Sequence, residues 1–289
     1  MRRRRVPSGA TAPAAAVGLS LECGDVVFAY REGGREVPAV TGVTFALATG
    51  STAALLGPSG SGKSTLLMLL RGILKPDRGT VLLDGVPPTD PAYAGLERRV
   101  GIVFQHPEMQ LFAGTAREDV GFGPRQLGWP PADVERAVDE ALESVGLPPE
   151  LFGRRHPYSL SGGEQRRLAL AGVLAMRPGA LLLDEPFVSL DPGARRELAA
   201  ILVALKSSGI TILLATHDVD QAWALCDERL VLASGSLLAS GAWSFGAGGE
   251  EVLTGNRLRV PSLVELWRRL GRAVVDAPRT AARAAELLS

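Results

Sequence analysis

The run GPSGSGKST, Gly57 to Thr65, has the clearest chemical purpose in the chain. Its spacing is G-x-x-x-x-G-K-[ST], with an apolar run (TAALL) before it and a helical pattern (KSTLLMLL) after it. Gly57, Gly60 and Gly62 let backbone N–H groups turn inward around phosphate oxygens, where side chains would block the approach. Pro58, Ser59 and Ser61 complete the loop, and the helix that follows adds its positive N-terminal end. Lys63 supplies a point charge to the β- and γ-phosphates. The Ser64 hydroxyl, beside Thr65, is placed to ligate Mg2+. The chemistry implied is binding of a nucleoside triphosphate with its metal ion.

Two further runs extend that chemistry. GALLLDEP reads as a strand buried on both faces, and it ends on Asp184 and Glu185. Ligands of α/β sheets gather at the carboxyl ends of strands. There Asp184 would hold Mg2+, directly or through water, and Glu185 would polarise an attacking water. The other run is LSGGEQRR, Leu160 to Arg167, where Ser161, Gly162 and Gly163 open a helix and form a second anion-binding site. One chain does not need two such sites for one triphosphate. Two chains packed head to tail do, each closing the other's nucleotide.

With these motifs the chain resembles the ATP-binding subunits of ABC transporters, over roughly residues 19 to 270. The resemblance implies ATP and Mg2+ as cofactors, ATP hydrolysis coupled to transmembrane transport, and a peripheral place on the cytoplasmic face of the cell membrane. It implies that Tyr30 stacks on adenine and that Gln105 contacts Mg2+ and senses the partner. Asp191 in SLDP would reach across the dimer, and His217 in ATHD would contact the γ-phosphate. The partner ATPase would be the same chain or a paralogue.

QHPEMQLFAGTAREDVGFGP, Gln105 to Pro124, is too irregular for a core helix and too apolar for an idle surface loop. It resembles the loop of energy-coupling factor (ECF) transporter ATPases, including cobalt and nickel importers. Pro107, Gln110, Leu111, Phe112, Asp119, Val120, Phe122, Gly123 and Pro124 fit that pattern, while His106 stands where Asn is usual. The resemblance implies that transmembrane subunits dock near Met109–Phe112, with Met109, Leu111 and Phe112 as exposed anchors. The alternative is a small apolar cluster packed inside its own helical subdomain. The tail EEVLTGNRLRVPSLVELWRRLG also resembles that group's C-terminal segment, which helps hold two ATPase subunits together. Alternatives for the whole chain are an ATPase of another ABC importer or exporter class, or a soluble ABC ATPase acting on DNA or ribosomes. The latter usually carry a tandem core, a long coiled coil or zinc cysteines, and this sequence has none of these.

The elements needed to position these residues are those of an α/β fold. It comprises a P-loop NTPase core (a mixed sheet with an antiparallel β subdomain), a helical signature subdomain and a short C-terminal extension. Strands are expected at LECGDVVFAY, GVTFAL, TAALLG, TVLLDG, RVGIVFQ, GALLLDEP and Ile210 to Thr216, with a hairpin turning at Ser234-Gly235. Helices are expected at KSTLLMLLRGIL, over much of residues 130–178, at Arg195 to Lys206 and at Val219 to Cys226. The expected organisation is a disordered basic tail (1–18), an ATPase domain (19–249) with its helical subdomain at about 106–178, and the extension (250–289). AWSFGAGGEE reads as a glycine-rich linker. Lys+Arg and Asp+Glu both total 31, so there is no global pull toward nucleic acid, and none is expected as a partner. No apolar run approaches the ~20 residues a membrane span needs. Cys23 and Cys226 fit no metal spacing and read as buried reduced thiols.

Overall fold

The computed structural model describes residues 18–245 and 250–288. Apart from Gly18, the basic tail lies outside the described residues, as does the centre of the glycine-rich segment.

The site rests on a six-stranded sheet of β3 (Thr52–Leu56), β5 (Val100–Val103), β6 (Ala180–Asp184), β7 (Thr211–Thr216), β8 (Glu228–Ala233) and β9 (Ser236–Ala242). The order is β5-β6-β7-β3-β8-β9, parallel up to β8, with β9 closing antiparallel. Strands β3, β6 and β7 read as unbroken apolar runs because each face meets a different core. Ala54, Leu56, Leu181, Leu183, Ile212 and Leu214 point into one core. Their alternates Ala53, Leu55, Ala180, Leu182, Leu213 and Ala215 point into the other, as the two-residue period of a strand requires. The β8–β9 hairpin turns on Ser234 and Gly235, both with positive φ (48° and 80°), which matches the right-handed twist of its strands.

The second core lies under an antiparallel sheet ordered β2-β1-β4, from β1 (Leu21–Glu32), β2 (Arg35–Leu47) and β4 (Arg78–Leu83). Helix α1 (Lys63–Leu70) buries Leu66, Leu67, Leu69 and Leu70 in that core. It ends earlier than KSTLLMLLRGIL suggests, because Gly72 adopts φ 77° and its N–H closes back on Leu69. Helix α2 (Tyr93–Glu97) leads into β5.

Between β5 and β6 run α3 (Ala116–Val120), α4 (Phe122–Gln126), α5 (Pro131–Ser144), α6 (Pro149–Phe152) and α7 (Gly162–Leu174). Val134, Ala137, Val138, Ala141 and Leu142 of α5 are buried at helical spacing, and with Leu168 and Ala171 of α7 they join the first core. α8 (Pro192–Ser207) begins three residues before the expected Arg195, since Asp191 caps it and Pro192 suits its first position. α9 (Val219–Leu225) follows β7.

The extension holds α10 (Glu251–Thr254), which adds Leu253 to the first core, and α11 (Ser262–Arg269) and α12 (Ala281–Leu288), which share a third cluster with α9. Trp223 of α9 is buried among Val260, Val264, Trp267, Ala277 and Ala284. Trp243 and Phe245 meet its ring at 5.4 and 5.0 Å, so this end of the expected linker is an aromatic packing element. The Arg279 guanidinium lies 3.7 Å over Trp223 and donates to the Trp223 and Cys226 carbonyls. Cys23 and Cys226 are free and buried, and burial pushes both thiols up to about 12.

Candidate functional site

Four parallel strands end along one edge of the sheet, and each leads into a residue singled out by the sequence. Gly57 follows β3, Gln105 lies just past β5, Glu185 follows β6 and His217 follows β7. Strand pairing sets Leu56 beside Thr216, and Asp184 beside Ala215. This carboxyl edge is where open α/β sheets take ligands.

The loop 57–62 has little steric freedom. A Cβ at Gly57 would come within 2.3 Å of the Leu232 carbonyl oxygen, and one at Gly62, where φ is 102°, within 2.3 Å of the Ala39 oxygen. Gly62 stands at the N-cap of α1 and supplies no side-chain cap, so the helix's first N–H groups remain available to an anion. The Lys63 ammonium, 7% exposed, donates to the carbonyls of Gly57 (2.8 Å) and Pro58 (3.1 Å) and lies 3.8 Å from Glu185. Burial draws its pKa down, opposed by the carboxylates of Glu185 and Asp184. Ser59 and Gly60 are exposed, whereas Ser61 and Thr65 are buried.

Asp184 is buried, and desolvation raises its pKa, opposed by the neighbouring Ser64 hydroxyl and the Lys63 ammonium. Its Oδ1 has no hydrogen-bond partner. A hydroxyl beside a buried carboxylate with an unsatisfied oxygen is a hard-oxygen donor pair suited to Mg2+. Among the described residues no cluster of three or more His, Cys, Asp and Glu could hold a metal, so phosphate oxygens and water would have to complete the shell.

Glu185 turns out of β6 with φ 47°, a left-handed conformation uncommon for a non-glycine residue. Its side chain is gripped from β7. Thr216 Oγ1 donates to Oε2 at 3.1 Å, and His217 Nδ1 lies 2.9 Å from Oε1. A carboxylate held this way can accept a proton or orient a water, and the exposed imidazole beside it can meet a ligand. Thr216 escapes sequence reasoning because a threonine ending an apolar strand looks like strand filler.

Tyr30 reaches α1 from β1, its hydroxyl 3.2 Å from Thr65 Oγ1 and its ring edge-on to Phe28. Gln105 is exposed, and its carbonyl accepts from Arg166 at 3.2 Å. The Arg166 guanidinium is buried and also donates to the carbonyls of Pro186 (2.8 Å) and Val188 (2.5 Å). It ties α7 to the segments after both β5 and β6. Sequence reasoning missed that role, since an Arg-Arg pair on a helix looks like a solvated face. Ser161 caps α7 in a reciprocal capping box with Glu164, leaving Gly162 and Ser161 exposed and Gly163 packed toward Ala194. Asp191 caps α8, and hydrogen bonds from Ala194 and Gly193 N–H hold its carboxyl below the usual range. Within one chain, these residues of α7 and α8 belong to elements other than those that carry the loop 57–65.

The loop after Gln105 corrects one expectation. Leu111 is no exposed anchor: it is 2% exposed, in the core with Val120, Trp129 and Leu160. Met109 and Phe112 remain exposed at 81% and 62%, and Phe122 joins them with its ring edge-on to Phe112 at 4.8 Å. The loop is pinned beneath these rings. Asp119 accepts from the Phe112 and Ala113 N–H groups, Tyr158 donates to the Leu111 carbonyl, and Thr115 and Glu118 form a capping box.

Together the parallel sheet, glycine loop, α1 and carboxyl-edge acids define a P-loop nucleoside triphosphatase. A family model described as ABC transporter matches residues 40–188. An ABC transporter ATP-binding protein of Streptomyces coelicolor is 44% identical over 252 residues, covering 87% of this chain and 94% of its own. The energy-coupling factor transporter ATP-binding protein EcfA of Methanothermobacter thermautotrophicus is 40% identical over 255 residues, covering 88% and 80%. Among solved structures, cbiO1 from Clostridium perfringens, part of the ABC transporter complex cbiONQ, superposes with a TM-score of 0.70 at 30% identity, covering 89% of this chain and 98% of that one. The dimeric ATP-binding cassette MJ0796, in a post-hydrolysis state with ADP and Pi, gives 0.69 at 27% identity, covering 78% and 100%. This chain belongs to the ABC transporter ATP-binding family, and it is an ATPase.

Proposed function

We propose that this chain is the ATP-hydrolysing subunit of a membrane importer of the energy-coupling factor type, serving vitamin or transition-metal uptake. The EcfA and cbiO1 relatives support that reading, and one observation carries it: Met109 and Phe112 stand exposed after Gln105 on a loop pinned to Asp119, with the exposed Phe122 of α4 against Phe112. Exposed apolar side chains on a pinned support suit docking to transmembrane subunits. Among the described residues no helix is long and apolar enough to cross a membrane, so coupling runs through such a partner.

In this reading the loop 57–65 and Lys63 cradle the ATP phosphates, with Lys63 leaving the Gly57 and Pro58 carbonyls to do so. Ser64 and Asp184 hold Mg2+, with Gln105 approaching from β5. Bound Mg2+ neutralises charge on the phosphate oxygens. Glu185 orients the attacking water, Thr216 and His217 hold Glu185, and the exposed face of His217 meets the terminal phosphate. Tyr30 faces adenine. Ser161, Gly162 and Gly163 of a second ATPase subunit, the same chain or a paralogue, close over the nucleotide, and Asp191 reaches across. ATP binding shuts the dimer and hydrolysis reopens it.

Co-purification with the transmembrane subunits tests this. Met109→Ala with Phe112→Ala is expected to leave ATPase activity and melting temperature near those of the parent while releasing the membrane partner, at about 2 kcal/mol or more per anchor. A double variant that still co-purifies in full yield refutes the docking role.

A further inference from the structure

A cavity of about 500 Å3 opens beside the phosphate end of the candidate site, between Pro58 and Ser59 of the glycine loop, His217, Asp218, and Arg257 and Arg259 of the extension. Its size falls within the ~300–1,000 Å3 of small-molecule sites. Neither guanidinium has a hydrogen-bond or ion-pair partner among the described residues. The carboxylates lining the cavity are engaged elsewhere: Asp218 accepts from the Gln221 N–H and lies 3.5 Å from Arg195, while Asp220 accepts from the N–H and hydroxyl of Ser262.

The backbone that presents these arginines is built in a costly way. α10 ends in a Schellman turn, with Leu258 N–H bonded to the Leu253 carbonyl and Arg257 N–H to that of Thr254. Arg257 occupies the left-handed position of that turn, at φ 59°, where glycine is usual. Leu253 and Leu258 are buried, so the turn is anchored and the arginines sit at a set place on the cavity wall. A strained non-glycine residue on a functional cavity is a pointer to its side chain's use.

We propose that Arg257 and Arg259 form a phosphate-binding wall of the nucleotide site, engaging either the terminal phosphate of bound ATP or the inorganic phosphate released by hydrolysis. Guanidinium groups suit phosphate oxygens through paired, charge-assisted hydrogen bonds. His217, Pro58 and Ser59, which line the same cavity, belong to the segments expected to meet the terminal phosphate. The proposal rests on the loop 57–65 holding the nucleotide.

The test uses the full chain carrying Arg257→Gly, Arg259→Gln or both. Glycine keeps the left-handed turn, so the melting temperature of Arg257→Gly is expected to match or exceed the parent's. ATP and ADP affinities are measured by equilibrium binding, and product inhibition by titration with inorganic phosphate. About a tenfold loss of ATP affinity with ADP affinity unchanged assigns the wall to the terminal phosphate. About a tenfold weaker inhibition by inorganic phosphate, with ATP affinity unchanged, assigns it to the released product. No change in either, or an equal loss for ATP and ADP with phosphate inhibition intact, overturns the proposal. Lys63→Ala serves as the control: if it too leaves ATP affinity unchanged, the nucleotide-site reading itself fails.

Discussion

Leu111 and Phe112 are neighbours in sequence, and the structure assigns them opposite tasks. Leu111→Ala removes a side chain that is 2% exposed and packed in the main core. No solvent can fill the space left, so a cost of about 2–5 kcal/mol is expected, from lost transfer energy plus the cavity. Phe112→Ala removes a ring that is 62% exposed and touches Phe122 edge-on. An aromatic pair contributes about 0.5–1.5 kcal/mol, and exposure holds this one to the lower part of that range. The backbone bonds from Phe112 and Ala113 to Asp119 survive both substitutions. Urea unfolding followed by tryptophan fluorescence measures both costs, with Trp129 in the same core as Leu111. Expected is a large drop in midpoint for Leu111→Ala and a small one for Phe112→Ala. Equal midpoints, or a larger loss at Phe112, would refute the division.

Other expectations concern the site directly. Thr216→Val removes a hydroxyl from Glu185 without changing side-chain shape much, so kcat should fall about tenfold with ATP affinity unchanged, and Thr216→Ser should restore it. Because the folded-state pKa of Asp184 is raised, the native chain keeps a proton that the unfolded chain has released. Stability from this group therefore falls as pH climbs above the ordinary carboxylate value of ~3.9, until the native carboxyl has ionised. The melting-temperature gain of Asp184→Asn over the parent should grow across that window, and a flat or reversed difference contradicts the assignment. Cys23 and Cys226, buried and pushed to about 12, should react with a thiol reagent at about pH 8 only after unfolding.

What was legible in the sequence were residues whose chemistry demands fixed spacing. Lys63 and Ser64 follow their glycines directly, and Asp184 and Glu185 end an apolar strand, so no tertiary information is needed to bring them to a strand edge. The mixed sheet was likewise readable from runs such as ALLLD and TILLAT. Burial within irregular chain was not. The loop around Leu111 lacks helical or strand periodicity, yet its backbone is folded by Asp119 and Tyr158 so that one residue points in and its neighbour out. Arg166 and Thr216 act through contacts 20 or more positions away, to Pro186 and Glu185. The aromatic packing of Trp223, Trp243 and Phe245, held by Arg279, joins parts of the chain that no local pattern links.

The central claim is that Glu185, held by Thr216 and His217, activates water for ATP hydrolysis at a site that two subunits close. Its most direct test is Glu185→Gln, with single-turnover hydrolysis and size-exclusion chromatography run on the same preparation with ATP and Mg2+. ATP binding should persist, hydrolysis should fall at least about a hundredfold (~3 kcal/mol or more), and ATP should hold the chain as a stable dimer. Near-normal turnover by this variant, with no ATP-dependent dimer, would contradict the account.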